Sequence, residues 1–178
     1  MKNGGQLHGL DVDADLFNAI AVGTASALRM ADVVPRPVGC SILSAARHNI
    51  TVLVGLAGRY SGNLAINLAS EAMLFLTSRF LGEEQAALSE DSVDAIMETG
   101  NILAGAVKRA LADTQYSLAA ISLPSLVMGP SHNKLFARGI RTVSVEFEID
   151  AMPLGTLQQR FMSSSISLMQ TTPGPREA

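Results

Sequence analysis

The sequence predicts a two-layer α+β domain, with long helices packed on a mostly antiparallel sheet and an internal pseudo-twofold duplication of a helix-strand-hairpin unit. Three observations carry this. The hydrophobic spacing alternates along the chain between a helical period near 3.6 and a strand period of 2. The same order of a helix, a strand and a hairpin occurs in both halves, with the hairpin turn ending in Gly62 in the first and in Gly155 in the second. A chain of 178 residues with 48% hydrophobic content can bury about 70% of its unfolded surface in one core, which leaves little room for a second. One domain over residues 1–178 is expected, ordered over about 12–165 and flexible over 1–11 and 166–178.

The first periodic segment runs from Asp15 to Met30, with Leu16, Ile20, Ala27 and Leu28 on an inner face, and Pro35 and Pro37 stop it. Three strands in a meander follow, around Val38 to Leu43, Ile50 to Val54 and Asn63 to Leu68, with a turn at Gly58 to Gly62. Ser70 is placed to cap a helix through Phe80, and Gly82 suits its left-handed end. A longer helix spans about Asp91 to Leu111. Ser117 to Leu123 reads as a strand, and Val143, Val145, Phe147 and Ile149 alternate with polar residues as a strand with one wet face. A return strand is expected over Thr156 to Met162.

Composition excludes several functions. Lys+Arg 13 against Asp+Glu 16 gives a net charge of -3, the wrong sign for neutralising nucleic-acid phosphates. Aromatics are 4% and Trp is absent, so ladders of stacking rings are not expected. No apolar run approaches the roughly 20 residues of a membrane span, no signal core opens the chain, and Cys40 is the single cysteine. A soluble protein of the reducing cytoplasm is the expectation. A mean hydropathy of +0.28 hints at an apolar surface covered by a second copy.

The long helix carries the chemistry. At about 100° per residue, Val93, Ile96, Met97, Gly100, Leu103, Ala104, Val107 and Leu111 share one face. Asp94, Glu98, Asn101 and Gly105 form a separate, outward stripe at spacings of four, three and four. Gly105 leaves room for a partner to come close. A Glu beside an Asn on a solvated helix face is ordinary by itself. Here the row is followed at a set distance by Pro124, in Ile121-Ser-Leu-Pro124-Ser.

Taken together, Asp94-x3-Glu98-x2-Asn101-x22-Pro124 resembles the signature of the CheC/CheX/FliY family of chemotaxis phosphatases, and its single occurrence resembles the CheX type. The order of elements is also similar, over roughly residues 12 to 165. The first-half helix offers Ala21 or Val22 where a Glu would be needed, and Thr24 or Ala25 in place of the Asn, which fits one site rather than two. The resemblance implies hydrolysis of the aspartyl phosphate on a CheY-like response-regulator receiver domain, in chemotaxis or a related two-component pathway, by a homodimer. A non-catalytic receiver-binding, flagellar-switch or adaptor module is the alternative.

Elementary chemistry is compatible with that implication. An acyl phosphate already has a good leaving group, so what is missing is a water held in line with phosphorus. The Asn101 carboxamide can accept from and donate to such a water without titrating. Glu98 offers a fixed anion to a lysine ammonium of the partner. These two are the candidate catalytic residues. Asp94, also favoured by the helix dipole, and Gly105 are candidates for the docking face, and Pro124 for a structural role beside the site. The chain needs no cofactor of its own, because magnesium would come with the phosphorylated partner.

Other signals have simpler readings. His8, His48 and His132 lack metal-ligand spacing. Gly58-x-x-Ser61-Gly62 is a turn rather than a nucleophile elbow, and Gly100-x4-Gly105 precedes Ala106 rather than a phosphate-loop Lys. Lys108 and Arg109 are placed for the helix C-terminus.

Overall fold

The computed structural model describes residues 12–43, 45–129, 132–133, 139–153 and 157–171. In chain order its elements are α1 (Ala14–Leu28), β1 (Arg36–Ser41), β2 (Ala45–Ala46), β3 (Ile50–Gly58), β4 (Tyr60–Leu68), α2 (Ser70–Leu81), α3 (Glu90–Ala110), β5 (Leu118–Ile121), β6 (Ser125–Met128), β7 (His132–Asn133), β8 (Arg141–Glu148) and β9 (Phe161–Gln170). Expectations for residues 1–11 and for the turn at Gly155 fall outside the described residues. No helix among the described residues is long and apolar enough to cross a membrane.

Asp13 starts the first helix, its Oδ1 accepting from the Leu16 amide at 3.2 Å. Its Oδ2 accepts from the Tyr116 hydroxyl at 2.6 Å and from Arg141 Nη1 at 2.9 Å, so one carboxylate joins α1 to the loop after α3 and to β8. Burial pushes this carboxyl upward, but the hydrogen bonds from Tyr116, Leu16 and Arg141 outweigh it and hold Asp13 below the ordinary value. A depressed carboxyl stabilises the fold above its unfolded value of about 3.9, and that contribution is lost as pH falls through the folded value. Asp13→Ala should therefore cost about 1–2 kcal/mol at neutral pH. The gap in melting temperature from the parent chain should close below about pH 4; a gap as wide at pH 3 would show that the carboxylate charge is not what matters.

The sheet is antiparallel in the order β1-β8-β9-β4-β3-β5, with β6 also paired to β3, and β2 and β7 form a separate ribbon. The three helices lie against it to complete an α+β fold. Val52, Ile66, Val145 and Ile166, on four different strands, are at most 2% exposed beneath the helices. The expected meander is corrected here. β1 does not neighbour β3 but lies at the far edge of the sheet, paired to β8. It begins at Arg36 and Pro37 rather than Val38, an edge being where a strand tolerates proline. Ile42 and Leu43 lie beyond it, 45% and 73% exposed.

Other boundaries move for identifiable reasons. The β3–β4 turn shortens to Arg59, since Gly58 and Tyr60 already belong to strands. Ser70 is the first residue of α2 rather than its cap; its amide donates to Asn49 Oδ1 at 3.1 Å. The wet face expected on β8 is largely covered, with Ser144 and Glu148 9% and 8% exposed. Glu148 is held between Arg36 and Arg160. Residues 157–160 form a 3-10 turn in place of the start of the return strand, which begins at Phe161 and runs to Gln170. The end of the ordered part at 165 is thereby corrected, because Ile166 and Leu168 are fully buried.

Candidate functional site

The site is built on α3. Ser89 caps it: its hydroxyl accepts from the Ser92 amide at 3.1 Å, and the Ser92 hydroxyl accepts from the Ser89 amide at 2.8 Å. Acidic Glu90 and Asp91 fill the first turn and basic Lys108 and Arg109 the last, each suiting the helix dipole at its end.

The buried face of α3 is wider than the expected one and turned from it. Ser92, Ala95, Thr99 and Ala106 are buried along with Ile96, Gly100, Leu103, Ala104 and Val107, whereas Val93 and Met97 are only partly so. The cause is that α3 packs against α1 as well as the sheet. At Gly23 of α1, an added Cβ would stand 2.8 Å from Val107 Cγ2 and 3.2 Å from the Leu103 carbonyl oxygen. Thr99 is accommodated by donating its hydroxyl to the Ala95 carbonyl at 3.0 Å.

What remains outward contains the acid and amide stripe. Asp94 and Glu98 are exposed, and Asn101 and Gly105 are half-buried. Asn101 Nδ2 donates to Glu98 Oε2 at 3.0 Å. Only the amide nitrogen can donate to a carboxylate, so this bond sets the orientation of the carboxamide and leaves Oδ1 as its free acceptor. Such a pair can hold a small polar molecule at Oδ1 while presenting negative charge one turn away.

Pro124 lies on the sheet side of the same turn. It sits between β5 and β6, both paired to β3, so it interrupts the edge of the sheet where the sequence suggested a strand end. An added Cβ at Gly100 would stand 2.7 Å from Val52 Cγ1 and 3.5 Å from Pro124 Cβ. The residue preceding Asn101 is thus the place where helix, sheet and proline meet. Sequence reasoning put Gly100 on the inner face but missed this role; its proximity to Asn101 and the distant Pro124 were the available signals.

Lys108 does not turn back to its own helix end. Its Nζ donates to the Ala119 carbonyl of β5 at 2.7 Å, which pins the C-terminal half of α3 to the sheet edge. In the first half of the chain, Val22 and Ala25 of α1 are exposed, while Thr24 is buried with its hydroxyl donating to Ser164 Oγ at 3.0 Å. No acid and amide pair stands at those positions. Among the described residues no His, Cys, Asp and Glu group is arranged to hold a metal ion. Cys40 is half-buried, and burial raises its thiol above the ordinary value.

A family model described as chemotaxis phosphatase CheX matches residues 50–148. Among solved structures, a CheC-like superfamily protein from Shewanella sp. PV-4 superposes with a TM-score of 0.73 at 19% identity, over 88% of this chain and 99% of that one. The chemotaxis protein CheX of Vibrio vulnificus gives 0.70 at 20% identity over 86% and 99%. The CheX-CheY-BeF3-Mg2+ complex of Borrelia burgdorferi gives 0.68 at 22% identity over 88% and 99%. Comparison with curated proteins yields no match.

Proposed function

The chain belongs to the chemotaxis phosphatase CheX family, and from that premise we propose that it hydrolyses the aspartyl phosphate of a CheY-like response-regulator receiver domain. The observation that carries the reading is the solvent-facing hydrogen bond between Asn101 and Glu98. Support for the partner comes from the Borrelia relative, whose structure is a complex with CheY, BeF3 and magnesium.

In this reading the receiver docks along α3 with its phosphoryl group over Asn101. The free Oδ1 accepts from a water and holds it in line with phosphorus, which an acyl phosphate needs more than it needs a base. Glu98 does two things: one oxygen fixes the Asn101 amide, and the carboxylate pairs with a lysine ammonium of the receiver, setting the register of docking. Magnesium belongs to the receiver and neutralises phosphoryl charge there. A homodimer in the cytoplasm is the proposed setting. The test is release of inorganic phosphate from an acyl-phosphorylated receiver domain, which the chain should accelerate over spontaneous loss. Binding to the receiver with no acceleration would instead favour an adaptor or flagellar-switch role.

Gly105 gives a further check of the docking face. An added Cβ there would meet only Arg109 Nη1, at 3.6 Å, so Gly105→Ala should stabilise the helix by about 0.5–1 kcal/mol. Thermal melts should rise by about 1–3 °C. Because the methyl group would stand where the partner approaches, KM for the phosphorylated receiver should rise severalfold. A KM unchanged by this variant would remove Gly105 from the docking face.

A further inference from the structure

The sheet edge beside α3 contains one residue too many. Between the pairs Leu53↔Ser125 and Leu56↔Ile121, β3 contributes Val54 and Gly55, whereas the edge contributes Ser122, Leu123 and Pro124. Such a bulge re-aims a side chain, and this one is held firmly. The Ser122 amide donates to the Gly55 carbonyl at 2.9 Å. The Ser122 hydroxyl accepts from the Gly55 amide at 2.8 Å and donates to the Leu123 carbonyl at 2.8 Å. Pro124 turns inward against Gly100. Leu123 is left 84% exposed, and among the large hydrophobic residues described only Val34 is more so, at 85%.

The place of this leucine matters as much as its exposure. Lys108, tied to Ala119 of β5, is two turns along α3 from Asn101 and within about 20° of it around the axis. Asn101 therefore faces the same flank, the one along which the edge strand runs, and Pro124 meets α3 at the residue just before it. Leu123 and Asn101 are each one residue from that contact, so their Cα atoms lie at most about 14 Å apart. An interface of ordinary size covers about 800 Å² on each partner, a disc of roughly 16 Å radius. A patch of that size centred on Asn101 is wide enough to take in Leu123.

We propose that Leu123 is an apolar anchor for the receiver domain, packing against an apolar side chain on the face around the phosphorylated aspartate. The inference rests on the phosphatase reading above and adds to it a residue that determines affinity rather than chemistry. The bulge suits that role, because a side chain held outward before binding loses little freedom on docking. Exposed leucines on mobile loops lack this advantage. The flanking Ser122 hydroxyl is engaged by the Gly55 amide, so Leu123 is the apolar side chain presented by the bulge itself.

The experiment is steady-state phosphate release at a series of phosphorylated receiver concentrations, run on the full chain, on Leu123→Ser and on Asn101→Ala. Leu123→Ser should raise KM by about tenfold, the effect of removing one buried aliphatic contact, with kcat unchanged. Leu123→Met should restore the parent value, and sedimentation should be the same for all. A parent KM in Leu123→Ser, alongside turnover lost in Asn101→Ala, overturns the anchor and leaves the phosphatase reading standing. Dissociation of a self-associated form in Leu123→Ser overturns it also, by assigning the leucine to a second copy of the chain. Normal turnover in Asn101→Ala removes the placement of the phosphoryl group over Asn101, and the anchor with it; no acceleration of phosphate release by the parent chain removes the phosphatase reading itself.

Discussion

Asn101→Ala should lower phosphate release from an acyl-phosphorylated receiver domain by on the order of a hundredfold or more, the scale of losing one preorganised polar group in a transition state. Folding should hardly change, because the side chain is half-buried and makes one hydrogen bond, to an exposed glutamate. Binding of the phosphorylated receiver should also be largely kept, since the charge on Glu98 remains. The loss belongs in kcat. Asn101→Asp should be no better than alanine: a carboxylate three residues from Glu98 adds repulsion along the helix, and it faces an anionic phosphoryl group. Phosphate release within threefold of the parent chain in Asn101→Ala would reject the water-positioning role.

Gly100→Val should be the most damaging single change near the site, in both stability and turnover. The first added carbon already falls 2.7 Å from Val52 Cγ1, with Pro124 Cβ at 3.5 Å, and Val52 is 1% exposed in the core and cannot swing away. Overpacking of this kind costs about 1–3 kcal/mol, with a β-branched residue adding to it in a helix. The melting temperature should fall by about 3–10 °C. Relief comes from lifting α3 off β3, which moves Asn101 relative to a docked partner, and displacement by about 1 Å can cost a hundredfold in rate. Turnover measured well below the melting temperature separates the two effects. A variant that melts lower yet turns over normally would show that the seat of α3 on the sheet does not position Asn101.

The α3 stripe was legible because its information is local. Asp94, Glu98, Asn101 and Gly105 share a flank through spacings of four and three residues, and helix geometry converts such spacing directly into position. The alternation in β8 was legible for the same reason. β9 was not, since Ser163, Ser164 and Ser165 mask the inward row of Met162, Ile166 and Leu168. Strand alternation puts Ser164 in that row, and its hydroxyl is accommodated in the core because Thr24 of α1 stands opposite and shares a hydrogen bond with it.

By itself, then, the sequence determined the fold class, the helix that bears the candidate pair and the fact that the pair shares one flank, all of which follow from repeats within a few residues. Tertiary structure alone decided that β1 pairs with β8, that α3 packs against both α1 and the sheet, and that Leu123 is left exposed at a bulge in the sheet edge. Those outcomes depend on residues brought together from far along the chain, such as Cys40 opposite Val145 and Gly100 against Pro124. Hydrophobic periodicity marks which side of an element is buried, but it carries no record of which neighbour does the burying.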